Sequence, residues 1–350
     1  MASRTCYFAV ACDTDPDALP PYRTLPSGTD PLHLWTGLTQ RVPALREALS
    51  RTGFQRQYGP LPITWLLRAD RQIAEVYGDA GFSYRAFEKL WTHERTLGSE
   101  IGWHPHLYRW NNSASRWEPD LDHDEDQLAM LEESLTALRQ HAPIQSVRNG
   151  WNYHSTALMS FYAGMHIAVD ASPIPGSVEF SRGWHHDWSG TPRKPYCPSA
   201  SDYRRPATAS ENVSNILACP TLVRDLSLPL RLARHIQRIR RTRGKGRRPT
   251  WDSARWQGQY ISRMASSFSI AVRQWMAENQ TSPSPILVTY FHPDEILTPS
   301  GIATFLANLD EVQRLLQSGD FEIVPTTLSK LAAIATDPAQ SHLKTPLPQA

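Results

Sequence analysis

Cysteine is scarce in this chain of 350 residues, and the four that occur lie far apart: Cys6, Cys12, Cys197 and Cys219. No two of them have the Cys-x-x-Cys spacing of a zinc knuckle, and their scatter does not indicate a disulfide framework. The cysteine content therefore fits a reducing compartment best.

Long apolar runs are also missing. No segment reaches the roughly 18 uninterrupted apolar residues that cross a bilayer. The N-terminus has a short apolar stretch but lacks the long apolar region of a signal peptide, and it runs directly into the acidic residues Asp13 and Asp15. Because cleavage there would remove candidate ligands, we expect a cytoplasmic protein.

Charge of either sign is nearly balanced, with 36 Lys and Arg residues against 34 Asp and Glu residues and a net charge of +2. With 20% charged and 40% hydrophobic residues, the composition is typical of a globular enzyme or binding protein and not of a nucleic-acid-coating or disordered chain. No nucleic-acid partner is expected. The 12 tryptophans are unusually many, and such rings either pack in a core or line concave sites that hold sugar faces.

One basic segment breaks this balance, because residues 231–248 contain nine Lys and Arg residues. One interpretation is a solvated helix end followed by a mobile loop. The other is peripheral contact with an anionic group, such as a lipid head group, a lipid diphosphate or a nucleotide.

Short apolar runs alternate with helical patterns along the chain, which is typical of parallel strands joined by crossover helices. The predicted strands are Cys6–Cys12, Ile63–Leu67, Glu100–His104, Ser146–Arg148, His166–Asp170, Asn215–Ala218, Ile286–Phe291 and Phe321–Val324. The predicted helices are Pro43–Arg51, Tyr84–Leu97, Asp124–His141, His154–Ala163, Arg255–Glu278 and Gly301–Gln317, the last with Ser300 as its N-cap. We predict one α/β barrel domain over residues 1–335, followed by a flexible tail at 336–350. Long insertions at 16–34 and 171–215 are candidate substrate-recognising loops.

Two pairs of polar residues have the alternate spacing that directs both side chains to one side of an extended segment. One pair is His104 and His106, and the other is Asp13 and Asp15. Two histidines and one carboxylate form a three-ligand site for a divalent cation with one position left open. Alternatively, the acidic pair only caps the loop after the first strand, and the histidines are ordinary hydrogen-bonding residues.

Polar residues follow most of the predicted strands. In barrels of this class the chemistry gathers at the carboxyl ends of the strands, so these residues are expected to converge on one rim. They are Asp13, Asp15, His104, His106, Arg148, Asp170 and His292. A rival metal site is the pair His185 and His186 beside Asp187, although loop histidines are the plainer interpretation there.

The order of these motifs resembles the polysaccharide deacetylase family, also called the NodB-homology or carbohydrate esterase family four enzymes, over about residues 7–328. The matching motifs are Asp13-Thr14-Asp15, Gly98–His106, Arg148-Asn149-Gly150-Trp151, Val169–Ser172 and Leu287–Pro293. Common members have adjacent aspartates and histidines three residues apart, whereas this chain has Asp-x-Asp and His-x-His. It is closer to a subset associated with surface-polysaccharide biosynthesis, to which Asp187-Trp188 and Pro195–Ser199 are also similar.

The resemblance implies a distorted (β/α)7-type barrel, a divalent metal, with zinc as the expected ion, and a role for each residue. Asp15, His104 and His106 correspond to metal ligands, and Asp13 to the base that takes a proton from water. The altered spacing leaves open which aspartate binds the metal. Arg148 would keep Asp13 ionised. His292 would protonate the leaving nitrogen, with Asp170 paired to it.

We therefore expect a metal-dependent deacetylase that removes an acyl group from an N-acylated amino sugar in glycan or glycosylated-metabolite biosynthesis. One alternative is a deformylase or a deacetylase of a lipid-linked sugar, for which residues 231–248 would be the anchor. Another is a non-catalytic glycan-binding relative of the same fold. Arg148, Asp170 and His292 also have structural alternatives, as an ion-pair partner, a turn residue and a helix cap.

Overall fold

Eight parallel strands form the main sheet of the computed structural model, which describes residues 4–120, 125–181, 184–208, 215–242, 256–263 and 265–336. The strands are β1 (Arg4–Thr14), β2 (Ile63–Arg68), β3 (Glu100–His104), β4 (Ser146–Val147), β5 (Val169–Asp170), β6 (Leu217–Ala218), β7 (Ile286–Phe291) and β8 (Phe321–Thr326). Every predicted strand has a counterpart in this sheet. Long apolar strands such as β2 are buried along their whole length, as parallel sheets covered on both faces require.

The sheet is curled into a distorted barrel. Its strand order is β6-β5-β4-β3-β2-β1-β7, and β8 pairs with the amino-terminal part of β1. The segment after β6 reaches the other edge, where the Leu222 amide donates a hydrogen bond of 2.7 Å to the Val288 carbonyl of β7. The expected α/β barrel-like fold is therefore confirmed.

Helices surround this sheet. They are α1 (Val42–Ser50), α2 (Gly53–Tyr58), α3 (Arg71–Tyr77), α4 (Phe82–Arg85), α5 (Glu88–Thr96), α6 (Glu125–Arg139), α7 (Thr156–Gly164), α8 (Leu228–Thr242), α9 (Ala265–Glu278), α10 (Pro299–Ser318) and α11 (Leu328–Thr336). Polar side chains cap the amino-terminal ends of several of these helices. At α7, for example, the Ser155 side chain accepts a hydrogen bond from the Leu158 amide.

Three details of the predicted helices are wrong. The helix predicted at Tyr84–Leu97 is two helices, α4 and α5. The helix predicted from Arg255, which lies outside the described residues, begins at Ala265, because Trp256–Gly258 pairs as a strand with Val223–Asp225. The N-cap of α10 is Thr298 and not Ser300, because the Thr298 side chain accepts from the Gly301 amide and Pro299 occupies the first helical position. Asp124, the predicted start of α6, also lies outside the described residues.

The two predicted insertions differ in structure. Residues 16–34 contain neither a helix nor a strand. The described part of 171–215 contains two antiparallel hairpins, Val178–Ser181 with Trp184–Asp187 and Pro198–Ser199 with Asp202–Pro206. A further hairpin, Tyr108–Asn111 with Arg116–Pro119, follows β3 and was not predicted. Residues 243–248 of the basic segment and 337–350 of the predicted tail lie outside the described residues.

Most of the described tryptophans belong to the core. The rings fully enclosed around the sheet and its helices are those of Trp35, Trp65, Trp91, Trp103 and Trp188. Trp151 is the exception, with 50% of its surface exposed. The abundance of tryptophan therefore reflects packing more than ligand binding.

Candidate metal and catalytic site

The end of β1 directs two carboxylates to the same side. Between them, Thr14 is fully buried and joins β1 to β2, since its hydroxyl donates to the Leu66 carbonyl at 3.0 Å and accepts from the Arg68 amide at 3.1 Å. Because alternate residues of a strand face the same way, fixing Thr14 places Asp13 and Asp15 together on the opposite side. The β3 strand ends beside β2, with His104 paired in register with Arg68.

Asp15, His104 and His106 meet at one point. The two Nε2 atoms of the histidines lie 3.0 Å apart. Asp15 Oδ2 lies 3.4 Å from His104 Nε2, and Asp15 Oδ1 lies 3.3 Å from His106 Nε2. These three residues are one of two groups in the described chain whose side-chain atoms could surround a metal ion.

The spacing of the two Nε2 atoms and the two oxygens of Asp15 fits a small divalent cation. Ligands about 2.0–2.1 Å from a tetrahedral zinc ion are separated from one another by about 3.3 Å. The observed separations of 3.0, 3.3 and 3.4 Å lie around that value. A nitrogen and oxygen donor set of this kind suits zinc and neighbouring transition metals better than calcium or magnesium.

The protonation states of the group also suit a metal. His104 Nδ1 lies 2.6 Å from the Arg148 carbonyl, which can only accept, so Nδ1 carries the proton and Nε2 presents its lone pair. Burial and the nearby Arg68 guanidinium lower the pKa of His106 to about 4, so that this ring is neutral at neutral pH. Burial opposes ionisation of Asp15, but His106 and His104 nevertheless bring the pKa of its carboxyl well below the usual value.

Arg68 and Asp70 support this group and were missed by the sequence analysis. The buried Arg68 guanidinium contacts Asp15 Oδ1 at 2.6 Å and forms a second, very short ion pair with Asp70. Asp70 Oδ2 also accepts from the His106 amide at 2.9 Å. Arg68 ends β2, so the rule that polar residues gather at the carboxyl ends of strands could have identified it.

Asp13 lines the same cavity and pairs with Arg148. The Arg148 Nε donates to Asp13 Oδ2 at 2.9 Å, and both side chains are buried. Arg148 is itself held by the Ala171 carbonyl and the Asn152 side chain, and its guanidinium lies 3.7 Å from the centre of the Tyr290 ring. Among the described residues, Asp13 Oδ1 has no hydrogen-bond partner, so this oxygen is available to a water or a substrate.

His292 lies beside Asp13 at this rim. Its Nε2 lies 3.5 Å from Asp13 Oδ2, and its Nδ1 lies 3.3 Å from Glu295 Oε1. Burial opposes protonation of the ring, but the hydrogen bond to Glu295 and the charge of Asp13 outweigh it and raise the pKa of His292 to about 9. His292 also caps the short 3-10 turn Pro293–Ile296, so the structural alternative for this residue is observed as well.

The expected pairing of Asp170 with His292 is wrong. Asp170 is fully buried, and its Oδ2 lies 3.0 Å from His154 Nε2. Its other oxygen accepts from the Ser172 amide and hydroxyl, and the Ser172 hydroxyl in turn accepts from the Asn149 amide. Asp170 thus supports the loop that follows Arg148, and the carboxylate partner of His292 is Glu295, three residues along the chain.

Glu295 is occupied by protein donors. Arg263 contacts its Oε1 at 2.7 Å, and the Ser262 hydroxyl donates to its Oε2. The second possible metal group of the described residues, His292 with Asp294 and Glu295, is therefore better explained as a hydrogen-bonded support for the His292 ring.

The rival metal site at the second insertion does not form around His186. Its Nε2 contacts the Ser177 hydroxyl at 2.9 Å, and its Nδ1 contacts the Trp151 carbonyl at 3.0 Å. Asp187 pairs with Arg204. The side chain of His185 lies outside the described residues.

A cavity of about 300 Å³ opens over this rim. Its lining includes six of the seven predicted site residues: Asp13, Asp15, His104, His106, Arg148 and His292. The first insertion contributes Pro16, Ala18, Leu19 and Pro20, whereas no described residue of the second insertion lines the cavity. Of the parts of the two insertions that the structure describes, only the first insertion therefore lies where a substrate-recognising loop should be.

The loop after Arg148 is shaped to fit His106. A Cβ atom added to Gly150 would lie 2.1 Å from the His106 ring, so only glycine allows this approach. The next residue, Trp151, has a positive φ of 56°, and its ring nitrogen donates to the Tyr108 hydroxyl at 3.1 Å. The Tyr108 ring stacks nearly parallel to His106, with centroids 5.6 Å apart. Trp151 and Tyr108 therefore form an aromatic wall beside the candidate ligands.

Comparison with known proteins identifies the fold. No family model matches the sequence, and no curated protein matches it. Among solved structures, the chain is similar to a protein of Mycobacterium smegmatis assigned as a polysaccharide deacetylase, with 15% identity, a TM-score of 0.50 and coverage of 100% of this chain and 97% of that one. It is also similar to a Parabacteroides distasonis protein assigned as a glycoside hydrolase/deacetylase, with 13% identity, a TM-score of 0.54 and coverage of 95% and 71%. The chain therefore has the fold of the polysaccharide deacetylases, as the order of its motifs predicted.

Proposed function

We propose that the protein is a metal-dependent deacetylase that hydrolyses the amide of an N-acylated amino sugar. The observation that carries this proposal is the convergence of Asp15, His104 and His106 within 3.0–3.4 Å of one another. An Asp–Arg pair and a protonated histidine flank them in the same cavity. Amide hydrolysis at neutral pH needs an activated water, a polarised carbonyl and a proton for the departing amine.

Asp15, His104 and His106 would hold the metal, and zinc is the ion that their donor set fits best. A divalent ion bound there would polarise the scissile carbonyl and make water easier to deprotonate. Arg68 and Asp70 keep these ligands in place, Arg68 through its contact with Asp15 and Asp70 through the His106 amide.

Asp13 acts as the general base. Its Oδ2 accepts a hydrogen bond from Arg148, which fixes the orientation of the carboxylate. Its Oδ1 is left without a described partner and can accept the proton of the attacking water. The contacts of Asp15 with both histidines of the group support our proposal that Asp15 binds the metal and Asp13 acts as the base.

His292 acts as the general acid. Its pKa of about 9 keeps the ring protonated at neutral pH, and its Nε2 lies 3.5 Å from Asp13 Oδ2 in the cavity. Glu295 holds the opposite nitrogen, so the proton on Nε2 is the one that can pass to the leaving amine. A base and an acid that lie 3.5 Å apart in the same cavity can supply the two proton transfers that hydrolysis requires.

The lining and the size of the cavity support the proposed substrate class. The half-exposed Trp151 ring offers a flat apolar surface on which a sugar ring can stack, and Leu19, 49% exposed, offers a second apolar contact from the first insertion. A cavity of about 300 Å³ is of the size that holds one small ligand group. An acylated amino sugar of a surface glycan or of a glycosylated metabolite fits both properties.

The test is acetate release by purified, zinc-loaded protein across N-acetylated sugars, nucleotide sugars and lipid-linked precursors. We expect activity that is lost after chelation and restored by zinc or cobalt. Asp13→Asn should abolish turnover, whereas Asp310→Asn, which changes an exposed carboxyl on α10, should leave it unchanged. No release from any member of the panel by metal-loaded protein would contradict the proposal.

The same protein preparation and substrate panel distinguish the proposed function from two alternatives. Formate release, or activity restricted to lipid-linked sugars, would indicate the deformylase or lipid-linked interpretation. A metal-free chain that still binds oligosaccharide would favour a non-catalytic glycan-binding protein.

A further inference from the structure

Helix α8 exposes a stripe of large apolar side chains. Leu228, Leu232, Ile236 and Ile239 follow one another at intervals of four, four and three residues, which places them on one face of the helix. Their exposed fractions are 66%, 49%, 42% and 43%. We call these four residues the α8 stripe.

An exposed apolar stripe is unusual for a helix of a globular protein. Such helices normally turn their apolar face to the core, and contiguous exposed apolar surface marks an interaction site. The matching positions of α10 illustrate the usual arrangement, because Phe305, Leu309, Val312 and Leu316 are all fully buried. The α8 stripe therefore faces outward where a partner can reach it.

The sequence of α8 is also strongly cationic. Its fifteen residues include five arginines and no carboxylate. The whole stretch from residue 226 to residue 251 contains no Asp or Glu, in a chain whose net charge is only +2. Any partner of this helix must tolerate or favour this concentration of positive charge.

Three kinds of partner can be compared on that basis. A second copy of the chain would bring two such helices together, and like charges at short range repel. A nucleic acid would use the arginines but would leave the apolar stripe in water. An anionic bilayer surface uses both features, since the apolar face enters the boundary between head groups and acyl chains while the cations contact the lipid phosphates.

We propose that α8 docks the protein on a membrane surface rich in anionic phospholipid. No helix of the described residues is long and apolar enough to cross a membrane, and the proposed attachment is at the surface. No α8 side chain that the structure describes lines the 300 Å³ cavity, so docking through this helix is compatible with an open candidate site. The proposal is independent of the deacetylase activity, because it depends on the helix alone.

The test is sedimentation of the full chain with vesicles. The two lipid compositions are neutral phosphatidylcholine and phosphatidylcholine with about one third phosphatidylglycerol, each at low and high ionic strength. We expect at least about ten-fold more bound protein on the anionic vesicles at low salt, and less at high salt. Equal binding to both compositions, or none at low salt, would overturn the proposal.

Matched variants separate the two features of the helix. The double variant L232S/I236S should reduce binding about ten-fold, whereas Ile270→Ser, which changes an isoleucine 39% exposed on α9, should not. R234Q/R238Q should reduce both binding and its salt dependence, whereas K89Q/R95Q, on the exposed side of α5, should do neither.

Two further readouts exclude the other partners. Sedimentation equilibrium that shows a dimer lost in L232S/I236S would mean that a second copy covers the stripe, which overturns the membrane proposal. Binding of RNA that survives L232S/I236S, together with no vesicle binding, would also overturn it. Circular dichroism of each variant confirms that the fold is retained, and none of these measurements depends on catalytic activity.

Discussion

Two histidines that line the cavity have opposite acid–base properties. The pKa of His106 is lowered to about 4, whereas that of His292 is raised to about 9. Both rings are buried, so burial disfavours the charged form of each, and the difference comes from the neighbours. Arg68 lies beside His106, and Glu295 and Asp13 lie beside His292. The ring proposed to bind a cation is neutral at neutral pH, and the ring proposed to donate a proton is charged.

Among the substitutions that probe this difference between the two histidines, removing the acid should have the largest effect on turnover. In His292→Gln, kcat should fall by about 10²–10⁴-fold, the usual contribution of a positioned general acid. Zinc content should not change, because His292 does not belong to the group formed by Asp15, His104 and His106. Steady-state kinetics with metal analysis of the same preparation tests both statements, and loss of zinc in this variant would contradict the division of roles.

Adding a methyl group beside His106 should weaken metal binding although no proposed ligand is itself substituted. In Gly150→Ala, the new methyl group would displace the His106 ring, so zinc affinity should fall by about 100-fold. Gly164→Ala is the matched control, because a Cβ at that position of α7 meets nothing within 4 Å. Isothermal titration with zinc distinguishes the two variants, and equal affinities would show that the close approach of Gly150 has no role.

Weakening the support of the ligands should have a smaller effect. Asp70→Asn keeps a side chain that can cap α3 but loses the charge that balances Arg68 and the oxygen that accepts from the His106 amide. Zinc affinity should fall by about 10-fold, as is usual for residues that orient metal ligands. Thermal unfolding of the metal-free variant serves as the control, since a large loss of stability there would attribute the effect to folding.

Replacing Glu295, the carboxylate beside His292, should shift the pH dependence of kcat more than it lowers the maximal kcat. The protonated form of His292 is the active one, so kcat should be maintained below pH 9 and fall as pH rises above it. In Glu295→Gln the pKa should shift toward its ordinary value of about 6.5, and the alkaline limb of the profile should move to lower pH. Glu311→Gln, which changes a partly buried carboxylate of α10 that pairs with Arg314, should leave the limb in place. An unshifted limb in Glu295→Gln would show that another group sets it.

The sequence was sufficient to predict the sheet and the rim. Eight apolar runs became eight strands, and the rule that polar residues follow them brought Asp13, Asp15, His104, His106, Arg148 and His292 to one cavity. These residues are predictable because strand alternation and the carboxyl-end rule are local.

Contacts between distant segments could not be predicted in the same way. Both Asp170 and Glu295 are carboxylates near the end of a strand, and only the packing shows that Asp170 faces His154 while Glu295 faces His292. The position of Glu295 three residues after His292 is a local cap signal that could have suggested the pair. The late start of α9 has a similar cause, because pairing with Val223–Asp225 overrides the helical pattern before Ala265.

The metal stoichiometry of matched histidine variants tests the central claim most directly. After loading with zinc and dialysis, the wild-type chain should retain one ion per molecule. His104→Ala should lose it, whereas His141→Ala, which changes a histidine stacked on Tyr84, should keep it. A His104→Ala protein that retains as much zinc as the wild type would contradict the assignment of Asp15, His104 and His106 to one metal centre.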